Sequence, residues 1–80
     1  MSGRIDVDFA FAPGAVLRML GLVERRGFDV RGIEMDGAAG SLSLVVEARD
    51  SGRRLDVVAG HLRRLHDVRS VSFTPAGVVQ

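Results

Sequence analysis

The chemically versatile side chains of this 80-residue chain are two histidines, His61 and His66, ten carboxylates and eleven arginines. Lysine, cysteine, tryptophan, tyrosine and asparagine are absent. Thiolate metal sites, disulfides and cysteine nucleophiles are therefore excluded. His61 and His66 are five residues apart, off the i, i+4 spacing that sets two imidazoles on one helix face, and the carboxylate beside them in sequence is Asp67. That spacing suits histidines serving solvent or a helix dipole better than a metal or catalytic pair. Ser41, Ser43, Ser51, Ser70 and Ser72 stand in no nucleophile elbow. The expectation is no catalytic residue and no metal ligand. The doublets Arg25-Arg26, Arg53-Arg54 and Arg63-Arg64 read either as solvated helix faces or as docking points for a partner, since arginine is enriched at interfaces.

One further stretch carries chemistry in its backbone. Phe11-Ala12-Pro13-Gly14-Ala15-Val16 takes a strand through a glycine-containing turn into a helix start. Unpaired amides there, at the positive end of the helix dipole, suit a carboxylate, and Gly14 removes a side chain that would block it. Ordinary turn chemistry explains Pro-Gly at such a corner equally well.

The elements that position this loop follow from periodicity. Residues 4–11 alternate strictly, with Ile5, Val7, Phe9 and Phe11 on one face and Asp6, Asp8 and Ala10 on the other, which predicts a half-buried strand. Val16, Met19, Leu20 and Val23 fall at helical spacing from Ala15 to about Arg26, and Gly27 supplies the stop. Leu17 and Leu22 widen that stripe beyond what one sheet face requires. Phe28 and Val30 begin a second strand in one phase while Ile33 and Met35 continue in the other. A bulge at Gly32 would turn all four to the core. Turn residues 36–40 then lead to a third strand with Leu42, Leu44, Val46 and Ala48 on one face. Asp50-Ser51-Gly52 offers an N-cap for a helix in which Leu55, Val58, Ala59, Leu62 and Leu65 form the apolar stripe. Val68, Val71 and Phe73 mark a last strand, ended by Pro75.

The order βαββαβ predicts an α+β, ferredoxin-like plan: a four-stranded antiparallel sheet with two helices on one face. The expectation is a single domain over residues 1–80, with an ordered core at about 4–74 and a loose tail at 75–80. A formal net charge of +1 gives no cationic surplus for nucleic acid, and no apolar run approaches the ~20 residues of a membrane span, so neither partner is expected and the location is read as cytoplasmic. The open sheet face should carry Asp6, Asp8, Ala10, Ser43, Val45, Glu47, Ser70 and Ser72, with all four Phe turned inward. Such a face has no platform for stacking bases. A chain this small also gains by association with another subunit.

Pro13-Gly14-Ala15-Val16, then Gly21-Leu22-Val23-Glu24-Arg25-Arg26-Gly27-Phe28-Asp29-Val30, then Leu62-Arg63-Arg64-Leu65-His66-Asp67-Val68 together resemble an ACT domain. The likeness covers residues 4–73. It is most similar to the small regulatory subunits of acetolactate synthase, in the short, single-domain form of the isozyme II type. The resemblance implies a non-catalytic subunit that forms a homodimer through the first helix and second strand, docks on the acetolactate synthase catalytic subunit and raises its activity. Thiamine diphosphate, FAD and Mg would belong to that catalytic partner, with no cofactor on this chain. A branched-chain amino acid such as valine is the implied effector, and the implied effector site takes Gly14 and Ala15 from one subunit and Asp29 and Val30 from its mate. Phe11 stands where valine-responsive members have an asparagine, and Asp29 where they often have a second polar amide. A ring cannot supply an amide's paired donor and acceptor, so valine inhibition should be weak or absent. The alternative is a free-standing ACT-type amino-acid sensor acting on another enzyme or regulator. A small enzyme on the same plan lacks a nucleophile or an acid–base pair.

Overall fold

In the computed structural model, which describes residues 2–75, the elements run β1 (Ser2–Phe9), α1 (Ala15–Arg25), β2 (Phe28–Asp36), β3 (Ser41–Ala48), α2 (Leu55–Arg63) and β4 (Val68–Pro75). Residues 76–80, most of the expected tail, lie outside the described residues, while Pro75 still pairs with Gly3 in the sheet. The strands form one antiparallel sheet in the order β2-β3-β1-β4. This is the ferredoxin-like arrangement, with β1 and β3 inside and β2 and β4 at the edges.

Alternation places the core. Ile5, Val7 and Phe9 of β1 and Leu42, Leu44 and Val46 of β3 are buried and pack with Ala15, Met19, Leu22 and Val23 of α1 and Leu55, Val58, Ala59 and Leu62 of α2. Opposite them lies the polar sheet face: Asp6 accepts a hydrogen bond from Ser43 Oγ at 2.6 Å and is paired with Arg4 at 3.0 Å, and Asp8 accepts one from Ser70 Oγ at 2.9 Å.

The bulge in β2 forms. Pairing steps from Val30↔Val46 to Gly32↔Val45, leaving Arg31 as the extra residue. Ile33 and Met35 then stand opposite Leu44 and Leu42, on the helix side as expected, yet they are 51% and 50% exposed. They are not core residues. The strand is an edge with no neighbour beyond it, and the core closes over Phe28 and Val30 only.

Two other expectations, for Phe11 and for the N-cap of α2, are corrected, and the surplus apolar positions of α1 divide. Phe11 is 65% exposed, because β1 ends at Phe9 and the chain leaves the sheet before the alternation can count; its ring rests 6.0 Å from that of Phe9. Leu22 joins the core, but Leu17 faces solvent. The N-cap of α2 is Arg54, in extended conformation and without a side-chain cap, while Asp50 Oδ1 instead accepts the Gly52 N–H at 3.0 Å in a local turn. At the end of α1 the expected stop is present: Gly27 adopts φ +93°, and its N–H donates to the Glu24 carbonyl at 3.1 Å.

Candidate functional site

The loop between β1 and α1 is pinned from both sides. Phe9 N–H donates to the Gly40 carbonyl at 2.9 Å, and Ala10 N–H donates to the Asp67 carbonyl at 2.7 Å. Ala15 N–H then donates back to Ala12, and Arg18 N–H to Gly14, closing the first helical turn. Gly14 is the N-cap at φ +79° with no side-chain cap above it. A residue with a side chain is strained at that φ, so the glycine is required by the corner itself. The amides of Val16 and Leu17 follow Gly14 and point out of the helix end.

An ion pair braces the loop. The Arg18 guanidinium is bonded to the Asp67 carboxylate and reaches the Pro13 carbonyl at 3.5 Å. Asp67, only 9% exposed, is the buried charge among the described residues, and His66 Nε2 lies 3.2 Å from its other oxygen. The loop, α1 and the α2–β4 connection are thus locked together through one carboxylate. The sequence offered a faint signal for this: Asp67 sits in the LxxLxDV run, but its partner Arg18 lies 49 positions away and nothing local marks it.

Of the expected effector-site residues, Gly14 and Ala15 sit at the start of α1, and Asp29 and Val30 at the start of β2, so the length of α1 separates the two pairs within one chain. Val30 faces the helices opposite Val46, whereas Asp29 stands opposite Glu47 on the other side of the sheet. The Asp29 carboxylate is taken up by Arg49 at 2.8 Å and Arg31 at 3.8 Å, and Arg49 also donates to the Glu24 carbonyl at 2.9 Å. A shallow hollow of about 310 Å³ on the open sheet face, lined by Arg4, Asp6, Val45 and Thr74, lies away from the Gly14 loop.

Among the described residues, no three His, Asp or Glu side chains gather in a way that could hold a metal ion. His61 is half-buried on α2, and that burial, followed by the nearby charges of Arg26 and Arg64, lowers its pKa below the ordinary imidazole range. No helix among the described residues is long and apolar enough to cross a membrane. What the loop can do is recognise an anionic group through backbone amides.

Comparison with known families matches the ACT domain model over residues 12–71. The chain belongs to the ACT domain family. ACT domains are regulatory domains that typically bind amino acids and often pair. Among solved structures, this ACT domain is similar to the ACT domain from GTP pyrophosphokinase of Chlorobium tepidum, with TM-score 0.73 and 16% identity over 92% of this chain and 97% of that one. It is also similar to the aspartate kinase of Clostridium acetobutylicum, described as an allosteric enzyme, with TM-score 0.74 and 19% identity. There it covers 92% of itself but only 17% of the kinase. At these identities the likeness is one of fold. No curated protein matches the chain.

Proposed function

We propose that this ACT domain is the regulatory small subunit of acetolactate synthase, a non-catalytic partner that pairs with a second copy and activates the catalytic subunit by contact. The observation that carries the reading is an apolar flank along one edge of the molecule. At 100° per residue, Val16 and Leu20 lie on the side of α1 turned away from Arg18 and α2, and both are half-buried. Leu17 lies just beyond them, 74% exposed. Beside this flank run the half-exposed Ile33 and Met35 and the outer edge of β2. An open strand edge next to an apolar helix flank is self-complementary: a twofold would set β2 against β2 and α1 against α1.

Such pairing would also carry Gly14 and Ala15 of one copy toward Asp29 and Val30 of its mate, which the single chain keeps apart. The identity of the catalytic partner rests on the resemblance of the Pro13–Val16, Gly21–Val30 and Leu62–Val68 segments. Thiamine diphosphate, FAD and magnesium would then be held by that partner. Activation works by linkage: the subunit favours the active arrangement of its partner only by binding it more tightly than the inactive one. A branched-chain amino acid is a weak effector in this reading. The exposed Phe11 ring offers no amide to the ligand, and the Asp29 carboxylate is already engaged by arginine.

The test is to add the purified chain to an acetolactate synthase catalytic subunit from the same cell and measure acetolactate formation. A severalfold rise that millimolar valine leaves intact supports the proposal. An unchanged rate overturns it, and turnover of substrate by the chain alone would do so more severely. Tight amino-acid binding by the isolated chain in calorimetry, without activation, would favour the free-standing sensor.

A further inference from the structure

The packing of the two helices gathers arginines that are far apart in sequence. Arg26 caps the C-terminus of α1, and Arg53 and Arg54 lead into the N-terminus of α2. All three line one cleft of about 140 Å³, whose walls include Phe28, Gly52 and Val57. Gly27 makes room for this: a Cβ there would stand 2.3 Å from Arg53 Nε, so the Arg53 guanidinium lies across the bare backbone of the chain reversal. Arg64, from the third doublet, acts with Arg26 on the electrostatics of His61. Arg63 turns away and donates to the Val71 carbonyl at 2.9 Å.

The local charge is not balanced. Arg53 stands 3.5 Å from Asp50, and Arg54 is held by both oxygens of Asp56 at 3.0 and 2.8 Å. Arg26 and Arg64 take part in none of the ion pairs among the described residues. Guanidinium forks match carboxylate and phosphate oxygens. A planar carboxylate engages one or two forks, whereas a tetrahedral phosphoryl group presents three oxygens to cations arriving from different directions. The volume admits such a group and not a drug-sized molecule, which needs ~300 Å³ or more.

We propose that the cleft of Arg26, Arg53 and Arg54 is a binding site for a phosphoryl group, carried by a small phosphorylated metabolite or by free phosphate. It lies at the opposite end of α1 from Gly14, about 16 Å along the helix axis for its 11 residues, so it is separate from the loop considered above. Val57, 50% exposed at the rim, gives the carbon skeleton of a metabolite an apolar contact. A nucleic-acid backbone is the less suitable occupant, because Asp50 and Asp56 interrupt the basic surface and no aromatic side chain is exposed beside it.

The experiment is a titration of the 15N-labelled 80-residue chain with inorganic phosphate, glycerol 3-phosphate, acetate and an eight-nucleotide single-stranded RNA, at ionic strength held constant with chloride. Phosphate should give saturable shifts at Arg26, Gly52, Arg53 and Arg54. Arg26→Gln should weaken binding about tenfold, while Asp50→Asn, which frees Arg53 and keeps an oxygen for the Gly52 N–H, should tighten it. The opposite signs separate a site from a loss of fold. Tighter binding of glycerol 3-phosphate than of phosphate identifies the metabolite as the source, and equal binding identifies the free ion. Acetate binding as tightly as phosphate, shifts spread over all arginines, no response to Arg26→Gln, or tightest binding by the RNA with a salt slope spanning several phosphates would each overturn the proposal.

Discussion

Asp67 is the acid that this fold takes in, and the Arg18 guanidinium makes that burial tolerable. Removing the cation from beside a buried carboxylate leaves that charge unpaired, which costs more than the pair itself is worth. Arg18→Met should therefore destabilise the domain by roughly 1–3 kcal/mol, since Asp67 keeps only the exposed His66 beside it. Urea unfolding of the variant checks this; an unchanged midpoint would mean that solvent already carries the charge. His61 gives a dependence of the other kind. Its pKa is lowered in the folded chain by burial and then by Arg26 and Arg64, so near the ordinary imidazole value the unfolded chain binds a proton that the folded chain refuses. Stability should fall as pH drops through the ordinary imidazole value of about 6.5. His61→Gln should flatten that slope, as read from unfolding midpoints on either side of that value.

Each element owes its position to a local pattern that the packing then confirms or trims. Gly40 closes the β2–β3 hairpin at φ +69°, where a Cβ would stand 2.6 Å from the Phe9 carbonyl oxygen. Gly40→Ala combines a left-handed strain of about 1–3 kcal/mol with a backbone clash, and thermal unfolding should show a drop larger than that of Gly37→Ala, whose Cβ meets nothing within 4 Å. The alternation of Ile5, Val7 and Phe9, the helical stripe of Leu55, Val58, Ala59 and Leu62, and the phase change across Gly32 made the βαββαβ order legible, because each burial pattern repeats within a few residues. Ile33 and Met35 were misread because period places a side chain on a face but does not say where the opposing layer stops, and Phe11 because period does not say where the strand itself ends. The candidate site divides along the same line. Gly14 was legible from its own turn, but the Arg18–Asp67 brace and the meeting of Arg26 with Arg53 and Arg54 join residues dozens of positions apart, and no local signal encodes them.

Across the whole molecule the two long sides differ in kind. The β2 side exposes Leu17, Ile33 and Met35 beside an open strand edge, while the β4 side ends in Arg69, Ser70 and Ser72, exposed and polar. Edge strands invite pairing unless they are blunted by charge or cover, so association should be confined to the β2 side. Ile33→Asp tests this. At 51% exposure the substitution removes little core, and the isolated chain should stay folded at a cost within about 1 kcal/mol. In a twofold seam the same carboxylate would meet its own copy in an apolar setting, which is prohibitive for an unpaired charge. Sedimentation should find the parent chain dimeric and the variant monomeric, with unchanged circular dichroism. A variant that remained dimeric would move the interface elsewhere. If the monomeric variant also fails to activate the catalytic subunit, while Arg69→Asp on the opposite edge activates normally, pairing is required for regulation; a monomer that activated fully would separate the two and leave the paired arrangement to effector binding alone.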